Sequence, residues 1–589
     1  MIKDKLEKIL GFEIEATENP EFGDYTANIA MSHKPPREFA QKLVEKLKKD
    51  KELSKIIEKI DVAGPGFINF WLKTDVLVTN LMQIEEEKGK YGKTEKNKGK
   101  FAIVEYSSPN IAKPFGVGHL RSTVIGDAVA NLIEATGWKV MRDNHLGDWG
   151  TQFGKVIYAI KTWGNEAEIE KSESPVEELV KLYVKFHEEA QKDESLEDEA
   201  RAWFKKLESG DTEARRLWQK CVDWSWIEFN KVYEMLGIKF SPEFNKGRGL
   251  GESFFETRMK QVIDEFNEKK LLKVGEDGAK LVFFEAEKYP PLMIIKKDGA
   301  TLYATRDLAT DKYRKEKYDP DLIINEVGSE QGLYFKQLFE VEILLGWYKE
   351  SQRIHVGHGL FLLDGKKMST RAGKTVKLYE VLTEAINIAK GMVSSKGKAQ
   401  WDVLASKHPA GVVEHLGWDP KKVPTREYAQ KEIDDIGQKV GIGAIKYFDL
   451  SHQPQTNINF DWVGMFAMEG NSGPYLQYTV ARTNSVLAKA PIKGGSLQGE
   501  YSNLNDEEMS VMRTLIRFPE VIETAAKSYS PNLLCNYLYD LASKYNAFYN
   551  KDKIIGSENE GFRLALTAGV GQVLKNGLKL LGIETPERM

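Results

Sequence analysis

The sequence predicts a multidomain chain of α/β and all-α parts: a small N-terminal α+β domain, a Rossmann-type parallel-sheet domain with insertions, and a C-terminal helical bundle. Three observations carry this. An apolar run, Phe101-Ala-Ile-Val-Glu-Tyr106, leads through a glycine-bearing turn to Leu120, Val124, Ile125, Ala128, Val129, Leu132 and Ile133 at helical spacing. Gly137 then stops the helix, and Lys139-Val-Met-Arg-Asp143 offers a second strand. Strand, helix and strand in that order form the repeating unit of a parallel sheet. From about residue 380 the periodicity is helical to the end. Near the start, Glu38 to Leu47 is amphipathic at helical spacing, and Ala63-Gly-Pro-Gly-Phe-Ile-Asn-Phe-Trp71 reads as a turn feeding a strand. The expected boundaries are 1–98, 99–378 with a helical insertion at about 152–290, and 379–589.

Lys88 to Lys100 carries six lysines and three glycines in thirteen residues, the composition of a solvated linker between the first two domains. Asn144-His-Leu-Gly-Asp-Trp-Gly-Thr-Gln-Phe-Gly154 follows the second strand, at the carboxyl edge where open α/β sheets bind ligands. The helical section beyond it is rich in tryptophan, and Trp203, Trp218, Trp224 and Trp226 are read as core residues. Short strands are expected near 280–307, 321–328 and 353–363. In the last third, Ser530 is an expected N-cap with Pro531 at the first helical position. Leu533, Leu534, Tyr537, Leu538, Leu541, Tyr545 and Phe548 then mark one helix face.

The 589 residues are 41% hydrophobic and 29% charged, which fits neither a disordered nor a fibrous chain. No apolar run approaches the roughly 20 residues that cross a bilayer. The opening Met1-Ile-Lys-Asp-Lys-Leu-Glu-Lys-Ile-Leu10 is charged and amphipathic, unlike a signal peptide. The two cysteines, Cys221 and Cys535, are read as buried free thiols, which suits a reducing cytoplasm. The net charge of -4 supplies no global attraction to nucleic acid, so a polyanion would be met by local basic patches.

The chemistry sits in two stretches. Asn110-Ile-Ala-Lys-Pro-Phe-Gly-Val-Gly-His-Leu-Arg-Ser-Thr123 follows the first strand, and about 250 residues later comes Lys367-Met-Ser-Thr-Arg371. Backbone N–H groups at Gly116 and Gly118 and the positive end of the following helix suit a phosphate, and His119 adds a side-chain donor. Lys367 and Arg371 are mobile cations for a triphosphate, on a loop shaped by Met368, Ser369 and Thr370. This is nucleotide chemistry.

These two motifs resemble the HIGH and KMSKS signatures of the arginyl-tRNA synthetases, a class I aminoacyl-tRNA synthetase family. So do Val104-Glu-Tyr-Ser-Ser-Pro-Asn110, Gly147-Asp-Trp-Gly-Thr-Gln-Phe-Gly154, Tyr303-Ala-Thr-Arg-Asp307, Gly473-Pro-Tyr-Leu-Gln-Tyr478 and the terminal Pro586-Glu-Arg-Met589, over nearly the whole chain. The resemblance implies an arginine–tRNA ligase that uses ATP, with Mg²⁺ carried on the nucleotide and no dedicated protein metal site. It implies tRNA and L-arginine as partners, a monomer, a cytoplasmic location, and activation that requires bound tRNA. It assigns His119, Lys113, Lys367 and Arg371 to catalysis. ATP falls to Gly116, Gly118, His119, Gly328, Glu330, Lys367, Met368 and Ser369. Arginine falls to Glu105, Ser108, Asn110, Tyr303, Asp307 and Gln331, because a planar guanidinium pairs bidentately with carboxylates. The tRNA falls to Phe67, Asn69, Tyr475, Tyr478, Arg482 and Met589.

Two departures stand out. Gly116 replaces the first histidine of HIGH, and Arg371 replaces the last lysine of KMSKS; Lys113 matches the lysine held in the family to compensate for an altered second motif. Core packing is the other reading of Phe67 and of the tyrosines. A nucleotidyltransferase of the same superfamily and an inactive tRNA-binding paralogue remain the alternatives. The long helical C-terminal region speaks against the first, and Gly116 alone favours the second.

Overall fold

The computed structural model describes residues 1–17, 19–363, 366–367, 376–393, 429–490 and 503–589. The N-terminal unit is an antiparallel sheet of β1 (Glu15–Ala16), β2 (Tyr25–Ala27), β3 (Ile57–Ala63) and β4 (Phe67–Leu72) in the order β1-β2-β4-β3. The helix Pro36–Leu47 buries Ala40, Val44 and Leu47, the stripe expected from its spacing.

The lysine-rich segment that follows is not a solvated linker throughout. Tyr91 is 2% exposed, and its hydroxyl donates to Asn80 Oδ1 at 2.8 Å and to the Leu515 carbonyl at 3.2 Å. Gly92 holds φ +96° where any side chain would run into Phe518. Lysines dominate the composition, but two inward-facing residues fasten the segment to the C-terminal helices.

The central sheet contains β5 (Phe101–Glu105) and β6 (Lys139–Asp143). The insertion contributes a separate antiparallel sheet of β7 (Leu272–Val274), β8 (Lys280–Val282) and β9 (Leu292–Ile295). Two further central strands are β10 (Leu322–Gly328) and β11 (Arg353–His358). All central pairs are parallel, in the order β11-β10-β5-β6. Strand order therefore reverses between β5 and β10, and ligands of open α/β sheets bind at the carboxyl ends beside such a switch. The expected strand region up to 307 is corrected at its end: from Tyr303 the chain is the helix Tyr303–Tyr318.

The helix Leu120–Ala135 is buried nearly all round between the sheet and the C-terminal helices. Gly126 lets it approach β5 where a Cβ would strike the Tyr106 ring. Beyond β11, β12 (Phe361–Leu363) pairs with β13 (Lys366–Lys367) and with β14 (Ile458–Asn459).

The described remainder is helical except for β14: Leu378–Val393, Gln430–Leu450, Trp462–Phe466, Gly473–Lys489, Asp506–Leu515, Phe518–Lys527, Pro531–Lys551 and Glu560–Leu580. In Pro531–Lys551 the expected face is inward, with Leu534, Leu538, Leu541, Tyr545 and Phe548 fully buried; each such side chain contributes about 1.5–3 kcal/mol. Ser530 stands at the N-cap position but its hydroxyl donates to the Ser528 carbonyl at 2.8 Å and caps nothing. Cys221 and Cys535 are buried and unpaired. No helix among the described residues is long and apolar enough to cross a membrane.

Candidate active site and nucleic-acid surfaces

The first motif is held open by the insertion. Ser107 sits at φ +74° and Ala112 at φ +59°, conformations that L side chains avoid without support. Ser107 N donates to Ser122 Oγ at 2.9 Å, and its hydroxyl lies 2.6 Å from Thr123 Oγ1 and 2.9 Å from the Tyr233 hydroxyl. Ala112 N donates to Ser225 Oγ at 2.9 Å and Phe115 N to Glu228 at 3.2 Å. Ser225, Glu228 and Tyr233 all belong to the helix Thr212–Leu236. Against this clamp Lys113 and Gly118 are exposed and Gly116 is buried with an extended backbone.

His119 begins the helix, with Nδ1 3.2 Å from the Gly116 carbonyl and its ring edge-on to Phe115. If Nδ1 donates to that carbonyl, Nε2 is left for the cleft. Burial pushes the ring's pKa down, and the neighbouring charge of Lys113 adds to that. A phosphate arriving there would push it back up.

The chain after the second motif, at residues 376–378, is tied to the first through the backbone. Val117 N donates to the Val376 carbonyl and Leu378 N to the Phe115 carbonyl, each at 2.9 Å, and Gly116 pairs with Lys377. Lys367 ends β13, at the other side of that loop. Its side chain lies outside the described residues, as do Met368, Ser369, Thr370 and Arg371.

At the switch point Glu105, Asp143 and Asn325 lie in register across three strands. The helix Tyr303–Tyr318 brings Tyr303, Asp307, Asp311 and Arg314 onto one face above them. Arg314 pairs with Glu105, with Asp143 at 2.6 Å and with Asp311 at 3.1 Å. Arg353 pairs with Asp311 and Glu342, each at 2.6 Å. Burial works to raise the Glu105 carboxyl, but the Arg314 guanidinium, the charge of His145 and the hydrogen bonds from Arg314 and Asn325 together outweigh it and hold the group at about 2. Asn325 Nδ2 donates to the other Glu105 oxygen at 3.1 Å, and an ionised carboxylate still has lone-pair directions to spare.

Asp307 differs from its neighbours. Among the described residues no arginine or lysine of the chain pairs with it; it accepts from the Tyr334 hydroxyl, and His145 Nε2 stands 3.9 Å away. Its side chain is 26% exposed to the cleft, and burial raises its pKa. Tyr303, 58% exposed, stands edge-on to Tyr334 at the same opening. Ser108 is partly buried, and the exposed Asn110 pairs its backbone with Gly147. The arrangement offers a cation a carboxylate that, among the described residues, no arginine or lysine neutralises, walled by aromatic rings, at the carboxyl edge of the sheet that also leads into the Gly116–His119 turn.

Gly328 ends β10 and starts the turn Ser329–Gln331, on which Glu330 and Gln331 are exposed. His358 lies 2.8 Å from Glu326, and His355 stacks on Phe335. Among the described residues no three His, Cys, Asp or Glu side chains cluster as metal ligands.

The remaining expected residues lie in the N-terminal sheet and in the C-terminal helices. Phe67 is 40% exposed, whereas Asn69 is buried with Oδ1 accepting from Thr26 at 2.8 Å. Tyr475, Tyr478 and Arg482 line the seam with Pro531–Lys551. There Asn546 Nδ2 donates to the Tyr475 hydroxyl at 2.9 Å, and the Arg482 guanidinium lies 4.9 Å from the Tyr478 ring and 4.8 Å from Tyr549. Met589 is partly buried, and the tail before it is held by Gln477 on the Glu584 carbonyl and Asn484 on the Glu587 carbonyl.

Sequence reasoning missed Arg314, Asp311, Arg353, Asp143 and the clamp of Ser225, Glu228 and Tyr233. The one signal was the four-residue spacing Tyr303, Asp307, Asp311, followed after three more residues by Arg314.

Three family profiles match the chain: "Arginyl tRNA synthetase N terminal domain" at 1–72, "tRNA synthetases class I (R), catalytic domain" at 80–419 and "DALR anticodon binding domain" at 476–589. An arginine–tRNA ligase of Clostridioides difficile is 40% identical over 100% of this chain and 98% of its own. One from Exiguobacterium sibiricum is 42% identical over 94% and 91%. Among solved structures, arginyl-tRNA synthetase from Plasmodium falciparum aligns with a TM-score of 0.78 at 26% identity, covering 100% of this chain and 99% of that one. The Thermus thermophilus arginyl-tRNA synthetase shares the fold, with a TM-score of 0.76 at 21% identity and full coverage of both chains. With the catalytic-domain profile spanning more than half its length and relatives aligned from end to end, the chain belongs to the arginyl-tRNA synthetase family of class I aminoacyl-tRNA synthetases.

Proposed function

We propose that the chain is an arginine–tRNA ligase whose substrate cation is selected at Asp307. The single observation that carries the reading is that carboxylate, free of any guanidinium of its own chain among the described residues, in the same cluster of charges as Glu105. L-Arginine would set its guanidinium between Asp307 and Glu105 with Tyr303 over it, and Ser108, Asn110 and Gln331 would orient its α-amino and carboxylate ends. The arginine carboxylate then attacks the α-phosphorus of ATP and pyrophosphate leaves. Such a displacement is driven by positioning and by charge placed against phosphate oxygens. His119, Lys113 and the backbone at Gly116 and Gly118 would supply that charge at one end, and Lys367 and Arg371, with Met368 and Ser369, at the pyrophosphate. Gly328 and Glu330 would hold the ribose side. Mg²⁺ would enter on the phosphates.

In the second step the 2′-hydroxyl of the terminal adenosine takes the arginyl group and AMP leaves. The unit 1–98 would meet the tRNA elbow through Phe67, with Asn69 bracing its strand. Residues 99–378 would carry the chemistry. Residues 379–589 would read the anticodon with Tyr475, Tyr478, Arg482 and the end of the chain at Met589. Activation would require bound tRNA, and the working form would be a cytoplasmic monomer. Arginine-dependent ATP–pyrophosphate exchange, with and without tRNA, tests the reading. Exchange with tRNA supports it, and none under either condition leaves a tRNA-binding protein without the activity.

A further inference from the structure

His145 lies two residues beyond β6, inside the pocket just assigned to arginine, and this inference rests on that assignment. Its side chain is 13% exposed and Nε2 is 3.9 Å from Asp307 Oδ1. The ring leans on Phe255 with centroids 5.8 Å apart, and neither ring nitrogen has a hydrogen-bond partner among the described residues. Burying a polar atom without a partner is costly, so two on one ring mark a site whose partner is still to arrive. The charged groups facing it are Glu105 on β5, Asp143 and Asp148 on its own segment, Glu252 across the cleft, and Asp307 and Arg314 on Tyr303–Tyr318. Arg314 is already committed to Glu105, Asp143 and Asp311, and Arg306 lies 3.6 Å from Glu252. Burial works against a charged ring, but Glu105 and Asp307 outweigh it and the pKa moves up.

We propose that His145 is the resident counter-ion of the arginine pocket: its imidazolium balances Asp307 while the pocket is empty, and the incoming guanidinium takes over that charge and drives the proton from the ring to solvent. The neutral ring that remains has one donor for Asp307 and one acceptor for a guanidinium N–H, which satisfies both stranded nitrogens. A substrate analogue without the charge, such as citrulline, supplies no reason for the proton to leave.

The test is calorimetric titration of L-arginine into the full chain near pH 7, in phosphate and in Tris, whose ionisation enthalpies differ. The expected result is release of up to one proton per arginine. Arginine affinity should also gain up to tenfold per pH unit below the ring's pKa and level off above it. His145→Gln should bind arginine with equal heats in both buffers and no pH dependence from 6 to 8. Equal heats in the wild type, or unchanged proton release in His145→Gln, would overturn the proposal, the second by placing the proton on another group such as Asp307. Should His145→Gln fail to fold, the wild-type buffer comparison decides alone. If the wild type neither binds arginine nor supports arginine-dependent exchange, the arginine reading of the pocket falls first and takes the proposal with it.

Discussion

Arg121 Nε donates to Asp449 Oδ1 at 2.9 Å with both side chains almost completely buried, joining the first turn of the helix after His119 to the last turn of Gln430–Leu450. Arg121 Nη1 also reaches the Thr456 carbonyl at 2.6 Å. Cutting a buried pair at one end strands the other charge, at a cost of about 3–5 kcal/mol. Asp449→Ala is therefore expected to lower the unfolding free energy by that much, read as a lower urea midpoint, and to reduce adenylate formation. An unchanged midpoint would show that water replaces the lost partner.

Asp307→Asn removes the carboxylate that, among the described residues, carries no guanidinium of the chain. A substrate guanidinium left underpaired loses about 3–5 kcal/mol. The KM for arginine should rise by the corresponding factor, roughly 150- to 5,000-fold, while that for ATP moves far less. Equal rises in both would take Asp307 out of the arginine pocket.

Lys113→Ala should cut single-turnover adenylate formation, at saturating ATP, arginine and tRNA, by about 10² or more, the usual worth of one preorganised donor. His119→Ala should be at least as severe. Gly116→His should be tolerated or mildly activating, because Gly116 at φ -81°, ψ 162° already has a backbone open to any residue. A near wild-type rate for Lys113→Ala would move the compensation for Gly116 elsewhere.

Tyr478→Ala removes the ring under Arg482. Losing one stacking aromatic costs about 1–3 kcal/mol of RNA affinity, so aminoacylation should weaken for native tRNA more than for an anticodon-substituted one. Loss of helical signal in the variant would instead make Tyr478 a packing residue.

Glu520, buried beneath Tyr25, has its carboxyl pushed up to about 7 by desolvation. Between the ordinary 4.5 and that value the folded chain keeps a proton that the unfolded chain has lost. This group's contribution to stability therefore falls as pH rises across that interval and stays low above it. Glu520→Gln should flatten this part of the profile and melt higher than the wild type at pH 8. Parallel melting curves from pH 5 to 8 would refute it.

What could be read from sequence followed the range of the forces involved. Gly137 and the stripe from Leu120 to Ile133 act over a few residues, and both the helix and β6 fall where they were expected. Arg314 could not be read. It sits in Asp311-Lys-Tyr-Arg-Lys-Glu-Lys317, a solvated face by composition, and its partners Glu105 and Asp143 lie 209 and 171 residues upstream. The same distance hid the role of Tyr91, whose partner Leu515 is 424 residues away. Of the site, the carboxylates and the phosphate turn were legible as residue types. Which of them stays open was not, because that depends on where the chain's own arginines end up.

The N-terminal sheet is fastened to helices near the other end of the chain: Tyr25 to Glu520, Asp24 to Arg513 at 3.1 Å, and the Thr17 carbonyl to Arg517 at 3.2 Å. During synthesis at roughly 5–20 residues per second, the 495 residues separating Tyr25 from Glu520 take on the order of half a minute or longer to emerge. Throughout that time the N-terminal sheet has its own small core but lacks these three partners. A ribosome stalled before residue 513 therefore holds a chain whose N-terminal sheet has yet to meet Arg513, Arg517 and Glu520.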